Sequence, residues 1–200
     1  MPVEVRDKAE SLDRYFYFLI DALTIGFVAI LMVRNHIPMA HVGVRLQNWK
    51  SDVLHGIAAG GLLITLQCLL ARLLPRKKPL PNTDRYARRS VGFWVCALFV
   101  GALAEEFWIA FCIVAMRATG HSVSVSVYVT AVVFGTIHLS YGYLGALSVA
   151  AKGATSALLF LWWGALIPMF LFHFSGNLGS LYWIRLGQRR MASSMRSGAT

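Results

Sequence analysis

Five polar residues that could take part in catalysis lie within three of the most apolar stretches of this chain. Glu105 and Glu106 stand side by side near the middle of the run 91–116, and three further side chains follow downstream: His138, His173 and Asn177. A carboxylate at the centre of a membrane-spanning helix costs about 2.5–3.5 kcal/mol. The pair must therefore face a protein interior or a wet cavity, where it either orients helices or does chemistry.

The spacing of these residues predicts a hydrolytic site. His173 and Asn177 are four residues apart, as are Phe134 and His138, so each pair shares one helix face. A buried Glu beside an imidazole can take a proton from water. A second His and an amide NH₂ group can donate hydrogen bonds to the oxyanion that forms when hydroxide attacks a carbonyl. The chain has no nucleophilic-serine elbow, no helical His-Glu-x-x-His motif and no phosphate loop.

The composition predicts that these residues belong to a membrane protein. Of the 200 residues, 57% are hydrophobic and 14% are charged, and the mean hydropathy is +0.59. Soluble domains contain about 25% charged residues. Six spans of about 20 residues use about 120 positions and leave no room for a soluble domain. We therefore expect an all-α integral membrane protein, a bundle of about six transmembrane helices around an intramembrane polar cavity, with residues 1–200 forming one domain.

The apolar runs place the six helices. We expect spans over residues 15–33, 53–74, 91–116, 122–139, 141–163 and 165–184, with polar tails over 1–14 and 187–200 and disorder from Arg185 onward. Residues 123–129 alternate like a strand, but an isolated strand in lipid leaves its backbone groups unsatisfied, which favours a helix. The Gly60-Gly61 pair predicts close contact of the second span with another helix.

The distribution of charge predicts the orientation. A formal charge of +10 could indicate a nucleic-acid partner, but the basic residues collect in loops, as they do on the cytoplasmic side of membrane proteins. With six spans, the two termini and the proline-rich loop after Leu74 share one side, which carries most of the 19 Lys and Arg residues. We therefore expect a multi-pass protein with both termini in the cytoplasm, in the plasma (inner) membrane if the cell is bacterial. Its partners would be the lipid bilayer and a membrane-associated peptide or protein, and no nucleic acid.

Three short motifs give the chain a family resemblance. Glu105-Glu106, Phe134-x-x-x-His138 and His173-x-x-x-Asn177 resemble, in order and rough spacing, the motifs of the CPBP intramembrane proteases. That family takes in the type II CAAX prenyl endopeptidases and bacterial bacteriocin-processing or immunity proteins. The resemblance covers a core of about residues 90–186 and is weaker over 42–45 and 56–61.

The resemblance implies a glutamate-dependent intramembrane endopeptidase. It implies that Glu105 and His138 activate water, that His173 and Asn177 stabilise the oxyanion, and that Glu106 supports them. It also implies a substrate with a hydrophobic or lipidated segment, namely a CAAX-type C-terminus, a C-terminal anchor or a leader peptide. The family usually has an arginine five residues after the first glutamate, whereas this chain has Ala110.

Alternative functions use the same residues. One Glu and two His could instead hold a catalytic zinc ion, but Asn is a poor zinc ligand, and we expect no cofactor. Ala110 at the arginine position favours a non-catalytic immunity or scaffold protein of the same fold. Intramembrane Glu and His also build proton relays in transporters, but the chain shows no inverted repeat.

Lys152 stands in the middle of the fifth span, where an unpaired ammonium is costly. It could neutralise Glu106 in place of the missing arginine. It could also extend along the helix to a lipid headgroup, and this second arrangement is the one we expect.

Overall fold

The computed structural model describes residues 3–45, 47–73 and 90–197, and every regular element in these ranges is helical. Two 3₁₀ turns, Met39–Val42 and Leu139–Tyr141, lie between the longer helices. The six longer helices are α1 (Val3–Arg34), α2 (Trp49–Leu73), α3 (Val91–Ala118), α4 (Val123–Ile137), α5 (Tyr143–Trp163) and α6 (Leu166–Ser197). Each predicted span overlaps one of them, and the fourth, fifth and sixth spans begin or end one or two residues outside the helix. The prediction of an all-α membrane protein is confirmed. The loop after Leu74 falls outside the described residues.

The predicted disorder from Arg185 onward is wrong for residues 185–197, because α6 continues to Ser197. The added segment contains Arg, Met and Ala and, after Gly187, no glycine or proline. Its composition is therefore compatible with a helix. Likewise, α1 begins at Val3, ahead of the expected first span.

Three of the described helices are long and apolar enough to cross a membrane by length and composition alone. These segments are Trp49–Leu69, Val91–Ala118 and Tyr143–Trp163, and the shorter Val123–Ile137 is also apolar. Large hydrophobic side chains lie exposed along α1, α2, α4 and α5. Such surfaces are stable when lipid rather than water surrounds them.

The central element is α3, which contacts α1, α4, α5 and α6. Serine side chains define where α3 and α4 begin: Ser90 accepts a hydrogen bond from the Phe93 N–H, and Ser122 accepts one from the Val125 N–H. Gly120, with φ of +85°, closes the turn between α3 and α4. This short turn returns α4 alongside α3, so that the C-terminal end of α4 reaches the middle of α3.

Glycine contacts hold α2 against α6. A methyl group at Gly56 would come within 2.7 Å of Leu171, and one at Gly60 would overlap Ser175. Gly61 has no atom within 4 Å of that position. The predicted close helix contact therefore involves Gly60 and Gly56, one turn apart, and not Gly61.

The segment around Gly43 fastens the α5–α6 turn. Gly43 O accepts a hydrogen bond from Leu166 N–H (3.0 Å), and Arg45 Nη2 donates to the carbonyl of Trp163, the last residue of α5. A cation at a helix C-terminus also stabilises the helix dipole. This contact fixes the start of α6, seven residues before His173.

Candidate active site

The two adjacent glutamates of α3 occupy different environments. The side chain of Glu105 is 32% exposed, whereas that of Glu106 is completely buried. Neighbouring residues of a helix point about 100° apart. As a result Glu105 faces the accessible side of the site, and Glu106 faces its interior.

His173, on α6, lies between the two carboxyl groups. Its Nδ1 atom hydrogen-bonds Glu106 Oε1, and its Nε2 atom lies 3.1 Å from Glu105 Oε2. An ionised carboxylate only accepts hydrogen bonds. With both glutamates ionised, both ring nitrogens carry hydrogen and His173 is an imidazolium. The ring holds Glu105 in place from the buried side.

His138 approaches Glu105 from the other side. The sequence places it in the fourth span, but α4 ends at Ile137 and His138 is the C-cap residue, whose N–H donates to Gly135 O (3.1 Å). Its Nδ1 atom lies 2.8 Å from the carbonyl of Phe134, which accepts a hydrogen bond from Nδ1–H. Nε2 then points toward Glu105 Oε1 at 3.7 Å. This separation exceeds a direct hydrogen bond, and a water to one side of the line between the two atoms could contact both.

Asn177 completes the set one turn after His173. Its Oδ1 atom accepts a hydrogen bond from Lys152 Nζ at 2.7 Å. The expectation that Lys152 extends to a headgroup is therefore wrong. The ammonium lies in the site, within electrostatic reach of both glutamates, because these charged and polar groups stabilise it better than lipid can.

Two further residues of the site were not predicted. Ser156, fully buried on α5, donates a hydrogen bond to Glu106 Oε1 at 2.8 Å. It lies one turn after Lys152, and this four-residue spacing in an apolar run is the sequence signal that could have found it. Asp21 of α1 faces α3 at Gly101 and interacts electrostatically with Glu105.

Ala110, at the position of the family's usual arginine, is fully buried. It lies one helical turn after Glu106, whose Oε2 atom has no hydrogen-bond partner among the described residues. The methyl side chain of Ala110 has no polar group with which to donate to this oxygen.

Within the described ranges, no group of three or more His, Cys, Asp and Glu side chains has an arrangement that could hold a metal ion. Each ring nitrogen of His173 already faces a carboxyl oxygen, so coordination by this ring would break one of those contacts.

The comparison with protein families shows which known family this part of the chain resembles. Residues 87–179 match the family model described as type II CAAX prenyl endopeptidase Rce1-like. This stretch is similar to the Rce1-like family over 93 of the 200 residues. No curated protein and no solved structure matches the chain.

The Rce1-like stretch includes α3, α4 and α5 and the part of α6 with His173 and Asn177. It therefore contains all five residues of the sequence-predicted site. CAAX prenyl endopeptidases hydrolyse peptide bonds, and the apolar helices place this activity in a membrane. The chain is an intramembrane endopeptidase.

Proposed function

We propose that the protein is a glutamate-dependent endopeptidase in which Glu105 and His138 activate a water molecule. The observation that carries the proposal is the gap of 3.7 Å between Glu105 Oε1 and His138 Nε2. Both side chains are partly exposed, at 32% and 16%, whereas Glu106 and His173 are enclosed. A water that lies to one side of this pair, within hydrogen-bond distance of both atoms, would have two acceptors.

In the proposed reaction, the Glu105 carboxylate removes a proton from the water, and the oxygen attacks the carbonyl carbon of the scissile amide. The carbonyl oxygen becomes an oxyanion, and the amide NH₂ of Asn177 donates a hydrogen bond to it. The tetrahedral intermediate then expels the amine, which receives the proton held by Glu105. One water is consumed, and a carboxylic acid and an amine are formed.

His173 has two roles in this proposal. In the resting site its Nε2 atom contacts Glu105 Oε2 at 3.1 Å. Once Glu105 has taken a proton it is a weaker acceptor, and the developing oxyanion competes for the same N–H donor. The negative charge moves from Glu105 to the substrate while the donor stays in place.

We propose a substrate with an apolar or lipidated segment. An open groove of about 310 Å³ lies between α1 and α3, lined by Ile20, Leu23, Thr24, Phe27 and Trp108. The Trp108 ring stacks near that of Phe134, which in turn contacts the ring of His138. Apolar side chains therefore connect the groove to the site, and a CAAX-type C-terminus, a C-terminal anchor or a leader peptide would suit it.

The test compares the termini of membrane proteins in cells that carry the native protein, Glu105→Gln or Asp52→Asn. Asp52 is a buried carboxylate of α2, outside the catalytic cluster, and it serves as the matched control. We expect termini that depend on the native protein and on Asp52→Asn, and that are missing with Glu105→Gln. Identical termini with native protein and Glu105→Gln would overturn the proposal.

Purified protein then separates the two mechanisms. On a peptide identified by that comparison, Glu105→Ala and His138→Ala should each lower kcat by about 10²–10⁴-fold, since the first removes the proton acceptor and the second a residue that holds the attacking water. We expect activity to survive incubation with a strong chelator. Activity that is lost with the chelator and regained on adding zinc would support the metal-dependent alternative.

A further inference from the structure

Helix α5 brings two polar side chains into the site, although none of the three motifs lies on it. Lys152 and Ser156 are one turn apart and share the face that contacts the motif helices. Ser156 donates to Glu106, and Lys152 donates to Asn177. Each thus fixes the side chain of a different motif residue.

The position of Lys152 along α5 keeps its ammonium away from both membrane surfaces. Tyr143 and Trp162, near the two ends of α5, are 88% and 84% exposed, as aromatic residues at membrane interfaces are. Lys152 lies nine residues after Tyr143, about 14 Å along the helix axis. This is near the middle of the hydrocarbon layer, where a buried cation needs partners of its own.

The contact with Asn177 determines which way its amide group points. An ammonium group has three donors and no acceptor. The atom 2.7 Å from Lys152 Nζ must therefore be Oδ1, as the structure has it. The NH₂ group, the only donor of this side chain, then faces away from Lys152.

The charge of Lys152 also balances the glutamate pair. Its ammonium interacts electrostatically with both Glu105 and Glu106. Ala110 carries no charge and cannot supply the cation that the family usually places near Glu106, whereas Lys152 interacts with both glutamates.

We propose that Lys152 is a positioning residue that orients the Asn177 amide for oxyanion binding and replaces the charge of the arginine absent at position 110. The proposal rests on the proposed function of the site. It assigns Lys152 no contact with the substrate. Lys152 acts in catalysis through Asn177 and the glutamates.

A serine–lysine dyad is the other role that this pair could suggest. The geometry argues against it, since Ser156 is fully buried and directs its hydroxyl to Glu106, while Lys152 donates to Asn177. A dyad would require Ser156→Ala to abolish cleavage. Under our proposal this variant keeps measurable activity.

The test is a double-mutant cycle of Lys152→Met and Asn177→Ala, with Thr155→Val as control. Thr155 is exposed on the same helix, and its hydroxyl contacts only the backbone of α5. The probe is the peptide cleaved by the native protein in the comparison of termini, carrying a fluorophore and a quencher on opposite sides of the scissile bond. We expect Lys152→Met to lower kcat by about 10²–10³-fold, as loss of one oxyanion donor does, with KM changed less than about threefold.

The double variant should be no more than about tenfold slower than Asn177→Ala alone, because both changes remove the same interaction. Lys152→Arg should keep at least about a tenth of the native kcat, and Ala110→Arg should restore part of the activity of Lys152→Met. Native kcat in Lys152→Met, or fully multiplicative losses in the double variant, would overturn the proposal.

Two outcomes keep this proposal separate from the function of the site. If Glu105→Gln is inactive and Lys152→Met is fully active, the positioning role fails and the glutamate mechanism stands. If Glu105→Gln is fully active, the mechanism itself fails. If Lys152→Met does not accumulate in the membrane, the role is tested with Lys152→Arg and with the double variant Ala110→Arg/Lys152→Gln. An inactive Lys152→Arg in a folded protein, with no activity in the second variant, would overturn the role.

Discussion

At the scale of residues, the site consists of carboxyl groups held by donors from separate helices. Glu106 Oε1 accepts hydrogen bonds from both Ser156 and His173, and the Glu106 side chain is completely buried. Glu105 is held by His173 on one oxygen and faces His138 with the other. The open carboxylate is therefore the one that can exchange a proton with water, and the enclosed one fixes the imidazole.

Replacement of Asn177 by alanine should reduce catalysis without abolishing it. Loss of one oxyanion donor lowers kcat by about 10²–10³-fold, and the water-activating pair is unchanged. Initial rates on the quenched peptide measure this, with Ser180→Ala as control because the Ser180 hydroxyl contacts only the carbonyl of Gly176. Native kcat in Asn177→Ala would mean that its amide does not bind the oxyanion.

At the scale of elements, the seam between α4 and α5 determines where His138 lies. A methyl group at Gly135 would come within 2.7 Å of Ala150 Cβ and 3.0 Å of the Ala146 carbonyl. One at Gly153 would come within 2.7 Å of the Phe134 ring. The two helices therefore pack closely at these glycines. This packing determines the positions of Phe134 and His138.

Gly135→Ala should lower both activity and stability. The Ala146 carbonyl is backbone and cannot move cheaply, so α4 must shift and carry His138 away from Glu105. We expect kcat to fall by about tenfold or more, since small misplacements of reacting groups cost up to about 10² in rate. Thermal unfolding in detergent should also occur at a lower temperature than in the native protein.

The matched control is Gly61→Ala on the lipid side of α2, where no atom lies within 4 Å of the added methyl group. Alanine is the better helix former by about 0.5–1 kcal/mol, so stability should be unchanged or higher. Equal losses of kcat in the two variants would mean that the seam does not position His138.

At the scale of the whole molecule, α3 is the element on which the site is assembled. It is an apolar helix of 28 residues with the glutamate pair near its middle, and it contacts α1, α4, α5 and α6. Residues from α4, α5 and α6 meet at Glu105 and Glu106. These side chains are thus surrounded by helices around the middle of α3.

The orientation of the molecule can be tested by cysteine labelling in a background where Cys68, Cys96 and Cys112 are replaced by alanine. If both termini and the loop after α2 are cytoplasmic, His121→Cys in the α3–α4 turn should react with a membrane-impermeant maleimide in intact cells. Pro81→Cys should react only after permeabilisation, because Lys and Arg keep its loop in the cytoplasm. The reverse labelling would contradict the predicted orientation.

The sequence by itself determined the class of the protein and the residues of its core motifs. Apolar runs near 20 residues predicted the helices, because the bilayer leaves few other ways to satisfy backbone groups. The cost of carboxylates in such runs singled out Glu105 and Glu106, and helical spacing added His138, His173 and Asn177. These inferences depend on local composition and spacing, which the sequence contains in full.

Only the tertiary structure decided how these residues meet. Spacing along one helix cannot say that His173 lies between two carboxyl groups, that α4 stops one residue before His138, or that Ser156 binds Glu106. Lys152 shows the reason most clearly. A lysine in mid-span is stabilised either by a lipid headgroup or by partners on another helix. The rotation of α5 relative to α6 directs the Lys152 ammonium to Asn177. That rotation is set by side-chain packing between helices, such as the glycine seam of α4 and α5, and the spacing of residues along one helix does not contain it.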